Sequence, residues 1–223
     1  MRVNSAASAL VPAIAKTEMS LAMKERRRAI AAGVLFFVAT AAYMAGSAMA
    51  TSALAAPPGD SESKLRLGLV LEAVNAVAVI GIGVLLSSIL RQFSPGLALA
   101  YAGSRVVEAV LLLTAAAGAL VLANADRANA LVWHDRVFHA AMIVLGVGSV
   151  ALCVVLYQYG LAPRLLSLLG LCGYVALIAY GVLGMLGREP GFALFIPGAI
   201  FEIAFPLWLI VKGFALRQPA LRS

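Results

Sequence analysis

Six long apolar runs separated by short polar stretches organise this chain, at roughly 29–50, 67–90, 97–122, 136–158, 164–186 and 192–215. Each meets or exceeds the ~20 residues a helix needs to cross the hydrocarbon of a bilayer. The runs are continuously apolar and rich in Ala, Leu, Val and Gly, whereas barrel strands would alternate over about ten residues, so the pattern predicts helices. The expected fold is all-α, a polytopic bundle of six transmembrane helices. It divides the chain into a flexible basic N-terminal tail (1–28), the transmembrane domain (29–215) and a short C-terminal tail (216–223). Thr51 to Lys64, with Pro57, Pro58, Gly59 and Asp60, reads as a hydrated loop between the first two runs.

Composition places the chain in the same class. Hydrophobic residues make up 63% and charged residues 12% of the 223 positions, where a soluble domain carries about 25% charged. Mean hydropathy is +0.98. The loops leave no room for a separate soluble domain, so function is expected inside the bundle or on its short connections. The net charge of +7 is read as a topology signal, because the surface outside the bilayer is too small for nucleic acid. With the N-terminus in the cytoplasm, 11 of the 17 Lys and Arg fall on the inside, against Lys64, Arg66, Arg127, Arg136 and Arg188 outside. That asymmetry predicts cytoplasmic termini. Met23 followed by Lys24 would be a plausible start, which would set residues 1–22 apart from the native protein.

Ionisable residues inside the apolar runs change the picture. Glu72, Arg105, Glu108 and Glu202 all sit where hydrocarbon is expected, with His139 near the edge of the fourth run. A charge at the centre of a membrane helix costs about 2.5–3.5 kcal/mol on insertion scales, so such residues need partners, a cavity or a job. In the third run Tyr101, Arg105, Glu108 and Leu112 recur at steps of four, three and four and share one helix face. One carboxylate cannot satisfy the five donors of a guanidinium, so a second acceptor for Arg105 is expected from another helix. The stripe serves either as an intramembrane clamp or as part of a site. Three glutamates against one arginine leave two surplus negative charges, to be balanced by protons, by His139, by a bound cation or by a cationic substrate.

In the sixth run, Pro206 has no amide hydrogen to offer the carbonyl four residues back, which is that of Glu202. With Pro197 and Gly198 one turn earlier, this predicts a helix break at the carboxylate, like those lining binding cavities; the alternative is a simple kink satisfied by neighbouring helices. Counted along the helices, Glu108 and Glu202 lie near the midplane and Glu72 and His139 in the outer third. Asn75 extends the polar face of Glu72 by one turn. Together Glu72, Asn75, Tyr101, Arg105, Glu108, His139 and Glu202 form the candidate ligand or proton site. Asp135 and His139, at i and i+4, could reach a metal with Glu72 as third ligand. No zinc spacing is present, and neither a metal nor another cofactor is expected. Cys153 and Cys172 read as small packing residues, not a disulfide.

Tyr101-x3-Arg105-x2-Glu108-Ala109, the turn Leu161-Ala162-Pro163-Arg164-Leu165-Leu166-Ser167 and the ending from Pro197-x3-Phe201-Glu202 to Trp208-Leu209-Ile210-Val211-Lys212-Gly213-Phe214 resemble a bacterial multi-pass membrane family designated domain of unknown function 4386. The likeness covers roughly residues 28–214, with Leu165 standing where tryptophan would be expected. It implies the spans and the importance of Arg105, Glu108 and Glu202, and no chemistry. The expectation is an inner-membrane protein whose bundle centre, surrounded by the lipid bilayer, binds or moves a small lipophilic or cationic ligand, with proton coupling. The rivals are an intramembrane enzyme using Glu108 or Glu202 as general acid or base on a lipid or isoprenoid, and an accessory subunit using the clamp for packing. Gly81-x-Gly83 and Gly146-x-Gly148 would allow close packing within or between subunits, leaving the oligomeric state open.

Overall fold

The computed structural model describes residues 3–57, 59, 61–188 and 191–214, with side chains from Met19 onward, Phe192 excepted. Six helices account for nearly all of it: α1 (Val3–Ala55), α2 (Glu62–Leu90), α3 (Pro95–Leu122), α4 (Arg127–Gln158), α5 (Arg164–Met185) and α6 (Ile196–Val211). Five are long and apolar enough to cross a membrane, α1 being so from Met19 to Ala55. The sixth run is resolved into a 3₁₀ turn, Phe192–Leu194, and the 16 residues of α6, which at 1.5 Å per residue span about 24 Å.

Local chemistry explains these boundaries. Pro95 and Pro197 lie in the first turns of α3 and α6, where a missing N–H costs nothing and the ring's fixed φ starts a helix. Pro197 is therefore an initiator and not a break. Pro206 lies inside α6, which continues to Val211, so it removes one backbone bond at Glu202 without interrupting the helix. Asp126 caps α4, its carboxylate accepting from the amides of Ala128 at 2.9 Å and Asn129 at 3.2 Å. Two expected boundaries move. The loop anticipated from Thr51 to Lys64 shrinks, because α1 is helical to Ala55 and α2 from Glu62. The segment anticipated as a flexible tail to residue 28 is continuous with the first span in α1, its Ala-rich sequence favouring helix. The expected C-terminal tail, 216–223, lies outside the described residues.

Each helix packs against the next, and α6 returns to α1 to close the ring, with α1 also touching α4. Lipid is as apolar as leucine, so close backbone approach and aromatic packing hold such a ring. A Cβ on Gly68 in α2 would stand 2.7 Å from the Gly46 carbonyl oxygen of α1, and one on Gly173 in α5 would stand 2.6 Å from the Gly198 nitrogen of α6. Phe201 and Phe205 stack at 5.0 Å on α6, with Tyr174 edge-on to Phe201 and Phe36 of α1 edge-on to Phe205. Outward positions such as Val77 and Val121 are 68% and 70% exposed, which suits contact with hydrocarbon.

Two arginines tie helix ends together. Arg26 donates to the carbonyls of Leu209, Ile210 and Val211 at 2.9, 2.6 and 3.1 Å, and Arg127 to those of Ala53 and Ala56 at 2.7 and 3.2 Å. The last carbonyls of a helix have no donors of their own and carry its negative dipole end, so a cation there satisfies both needs.

Candidate functional site

The ring encloses a cavity of about 340 Å³ to which all six helices contribute. Its wall is mainly apolar, and Tyr43, Asn75, Arg105, Glu108, Tyr174 and Glu202 supply the ionisable and amide groups. Tyr101, Arg105, Glu108 and Leu112 are all buried on one face of α3, as their spacing predicted. Space for the arginine stem comes from α2, where a Cβ on Gly83 would stand 2.7 Å from that of Arg105.

Arg105 Nη2 lies 3.0 Å from Glu108 Oε2 and donates to Ser149 Oγ at 3.1 Å and the Leu145 carbonyl at 3.4 Å. The second acceptor expected from another helix is thus a serine and a carbonyl of α4. Its guanidinium stands over the Tyr101 ring, 5.3 Å from the centroid. The cluster is not saturated. Arg105 Nε, Glu108 Oε2 and the Tyr101 hydroxyl are buried without a hydrogen-bond partner among the described residues; Nη2 meets Oε2 as an ion pair lacking hydrogen-bond alignment. Glu202 comes from α6 on the cavity's other side, with the Tyr174 hydroxyl against its carboxylate. It lies within Coulombic reach of both Arg105 and Glu108, and unlike them it is only half-buried. Two carboxylates and one guanidinium therefore stand near one another beside an open space, with Glu108 the carboxylate within ion-pair distance among the described residues.

Glu72 and His139 do not join this cluster. His134 Nε2 lies 2.9 Å from both Glu72 oxygens, with the two side chains 4% and 3% exposed. His139 turns instead to α5, stacking on Tyr180 at 5.2 Å, while its Nδ1 sits 2.8 Å from the Asp135 carbonyl and 3.4 Å from Asp135 Oδ2. The reason is helical phase. Five residues at 100° each put His134 and His139 about 140° apart around α4, so they address different neighbours. Glu72 and His139, expected in one candidate site, thus stand apart from it and from each other, and Glu72 is not placed as third ligand beside Asp135 and His139. No group of three His, Cys, Asp or Glu assembles among the described residues. Cys153 is buried and Cys172 exposed, and both are free.

Sequence reasoning passed over three contributors. His134 falls before the apolar run that begins near 136, Ser149 carries no pattern, and Tyr174 looks like any aromatic in an apolar run. Only Tyr174's place facing Glu202 distinguishes it, and no local signal encodes that. The glycine pairs, by contrast, are all used within the chain: Gly81 against Leu35, Gly83 against Arg105, Gly146 against Ile178 and Gly148 against Ser104.

Fold and site together define a multi-pass α-helical membrane protein with a polar cluster at its centre. Residues 29–213 match the family described as Domain of unknown function (DUF4386), and the chain belongs to it. No curated protein and no solved structure matches the chain.

Proposed function

We propose that this protein binds or moves a small ligand, lipophilic or cationic, in the central cavity, with a proton as its counterpart. The observation that carries the reading is the meeting of Glu108, Glu202 and a single Arg105 at a mainly apolar cavity of about 340 Å³, a size within the range of ligand pockets. A clamp that served packing alone would gain from closing up around its charges, since an unpaired buried charge costs several kcal/mol. Here polar atoms stand unpartnered beside free volume. With two carboxylates to one guanidinium, neutrality in a low-dielectric space calls for either a proton or a bound cation, so cation binding would displace a proton. The same reading seats the protein in a bacterial inner membrane with both termini cytoplasmic, supported by the excess of basic residues on that side.

Native mass spectrometry of the detergent-released protein tests this, with wild type beside Glu202→Gln. A co-purifying molecule in the wild type that is absent from the folded variant is the expected result. Empty spectra from both folded proteins would overturn it in favour of the packing clamp.

A further inference from the structure

We propose that the cavity opens sideways into the bilayer between α1 and α6, and that its ligand is a lipophilic amine entering through this gap; the proposal rests on the ligand-site reading above and names the ligand's class and route.

The route follows from where the two helices touch. They are held together over residues 26–36 and 205–211, by the Arg26 bonds to the last carbonyls of α6, by Phe36 edge-on to Phe205 at 5.9 Å, and at Gly33, where a Cβ would stand 2.7 Å from Ile210 Cγ1 and 2.8 Å from the Pro206 carbonyl oxygen. Beyond this pinch Thr40 and Met44 of α1 and Ala199 and Ile203 of α6 all line the cavity. Met44 is 67% and Ile203 54% exposed. A residue that both lines a cavity and is more than half exposed marks its mouth. Here two such residues lie past the pinch on the neighbouring helices α1 and α6, both apolar. The mouth therefore opens to lipid, where amphiphiles are concentrated.

The class of ligand follows from what the interior lacks. Carboxylates outnumber cations two to one, and Glu108, 2% exposed, holds Oε2 without a hydrogen-bond donor. Asn75, 5% exposed, also lines the cavity. Glu108 Oε2 is an acceptor awaiting a donor and Asn75 adds an amide oxygen to the same cavity, while a protonated amine brings up to three N–H groups and the missing charge. The rest of the wall, including Val79, Leu112, Leu145 and Leu177, suits an alkyl or ring body. An anionic amphiphile would set a third negative charge against Glu108 and Glu202.

The test is binding of dodecylamine to the full chain in phosphatidylcholine nanodiscs, read by native mass spectrometry against empty discs, with dodecanoate as the anionic control. The expected result is one amine retained per chain, at least tenfold lower affinity in Glu202→Gln, and uptake at least tenfold slower in Ala199→Trp and Met44→Trp, which crowd the mouth from either helix. Leu165→Trp, exposed elsewhere on the surface at 81%, leaves uptake at the wild-type rate. Retention of dodecanoate in place of the amine overturns the ligand class and leaves the ligand site standing. Amine uptake at the wild-type rate in both mouth variants overturns the lateral route. A folded protein that takes up no amine overturns this proposal even if it carries another co-purifying molecule, and that molecule alone decides the ligand-site reading.

Discussion

Two acid–base pairs lie buried in this bundle, and they are built on opposite principles. Glu72 and His134 join α2 to α4 with both carboxylate oxygens 2.9 Å from one ring nitrogen and stand outside the cavity lining. Arg105 and Glu108 share a single helix at 3.0 Å, keep polar atoms without partners and face the cavity together with Glu202. The first pair is a cross-helix tie that uses up its partners. The second is a donor and acceptor set left incomplete, which is costly in a low-dielectric interior unless something fills it. Burial alone therefore does not separate structure from function here; the balance of partners does.

Breaking each pair would test the contrast. Arg105→Leu should have the largest effect, about 3–5 kcal/mol of lost stability, since it strands two carboxylates beside the cavity; a collapse in monodisperse yield and thermal midpoint in detergent would show it. His134→Phe removes the ring nitrogen that Glu72 meets among the described residues and should cost about 1–3 kcal/mol, while the same thermal scan with and without dodecylamine shows an unchanged ligand-induced shift. If that shift disappeared, the outer pair would belong to the site after all. Arg26→Ala should cost about 1 kcal/mol by uncapping α6, and hydrogen exchange confined to the last turn of that helix would register it. Glu202→Gln should change stability least, by less than about 1 kcal/mol, since the amide keeps its shape and can still bond the Tyr174 hydroxyl. It should nevertheless remove the ligand-induced shift, and that separation of stability from binding is the sharpest form of the comparison.

The α3 stripe was readable in advance because its four residues lie on one helix, where a period of 3.6 fixes which side chains share a face. Glu202 stands out for a related reason, as a carboxylate in an apolar run, and of the two readings open for the prolines near it the structure shows the continuous helix. Pro197 starts α6 and Pro206 is carried within it, because a proline in a first turn forfeits no bond and one further along forfeits only its own. His139 falls inside the apolar run that begins near 136 and His134 outside it, whereas α4 starts at Arg127. That extension makes His134 helical and gives it a fixed direction. Arg26 and Arg127 were counted as topology signals, and sequence offers no means of seeing that each reaches the end of a helix distant in the chain.

Sequence by itself determined the membrane class, the helical spans and the charged residues that must be accommodated inside them, since bilayer thickness, hydropathy and helical period act over neighbouring residues. Tertiary structure decided which glutamate meets which base, that Tyr174 faces Glu202, and that the cavity is pinched shut at Gly33 yet lined by exposed Met44 and Ile203 further along. Those outcomes depend on how six helices are rotated and tilted against one another, and rotation is set by the sum of many small packing contacts that no local stretch of sequence contains.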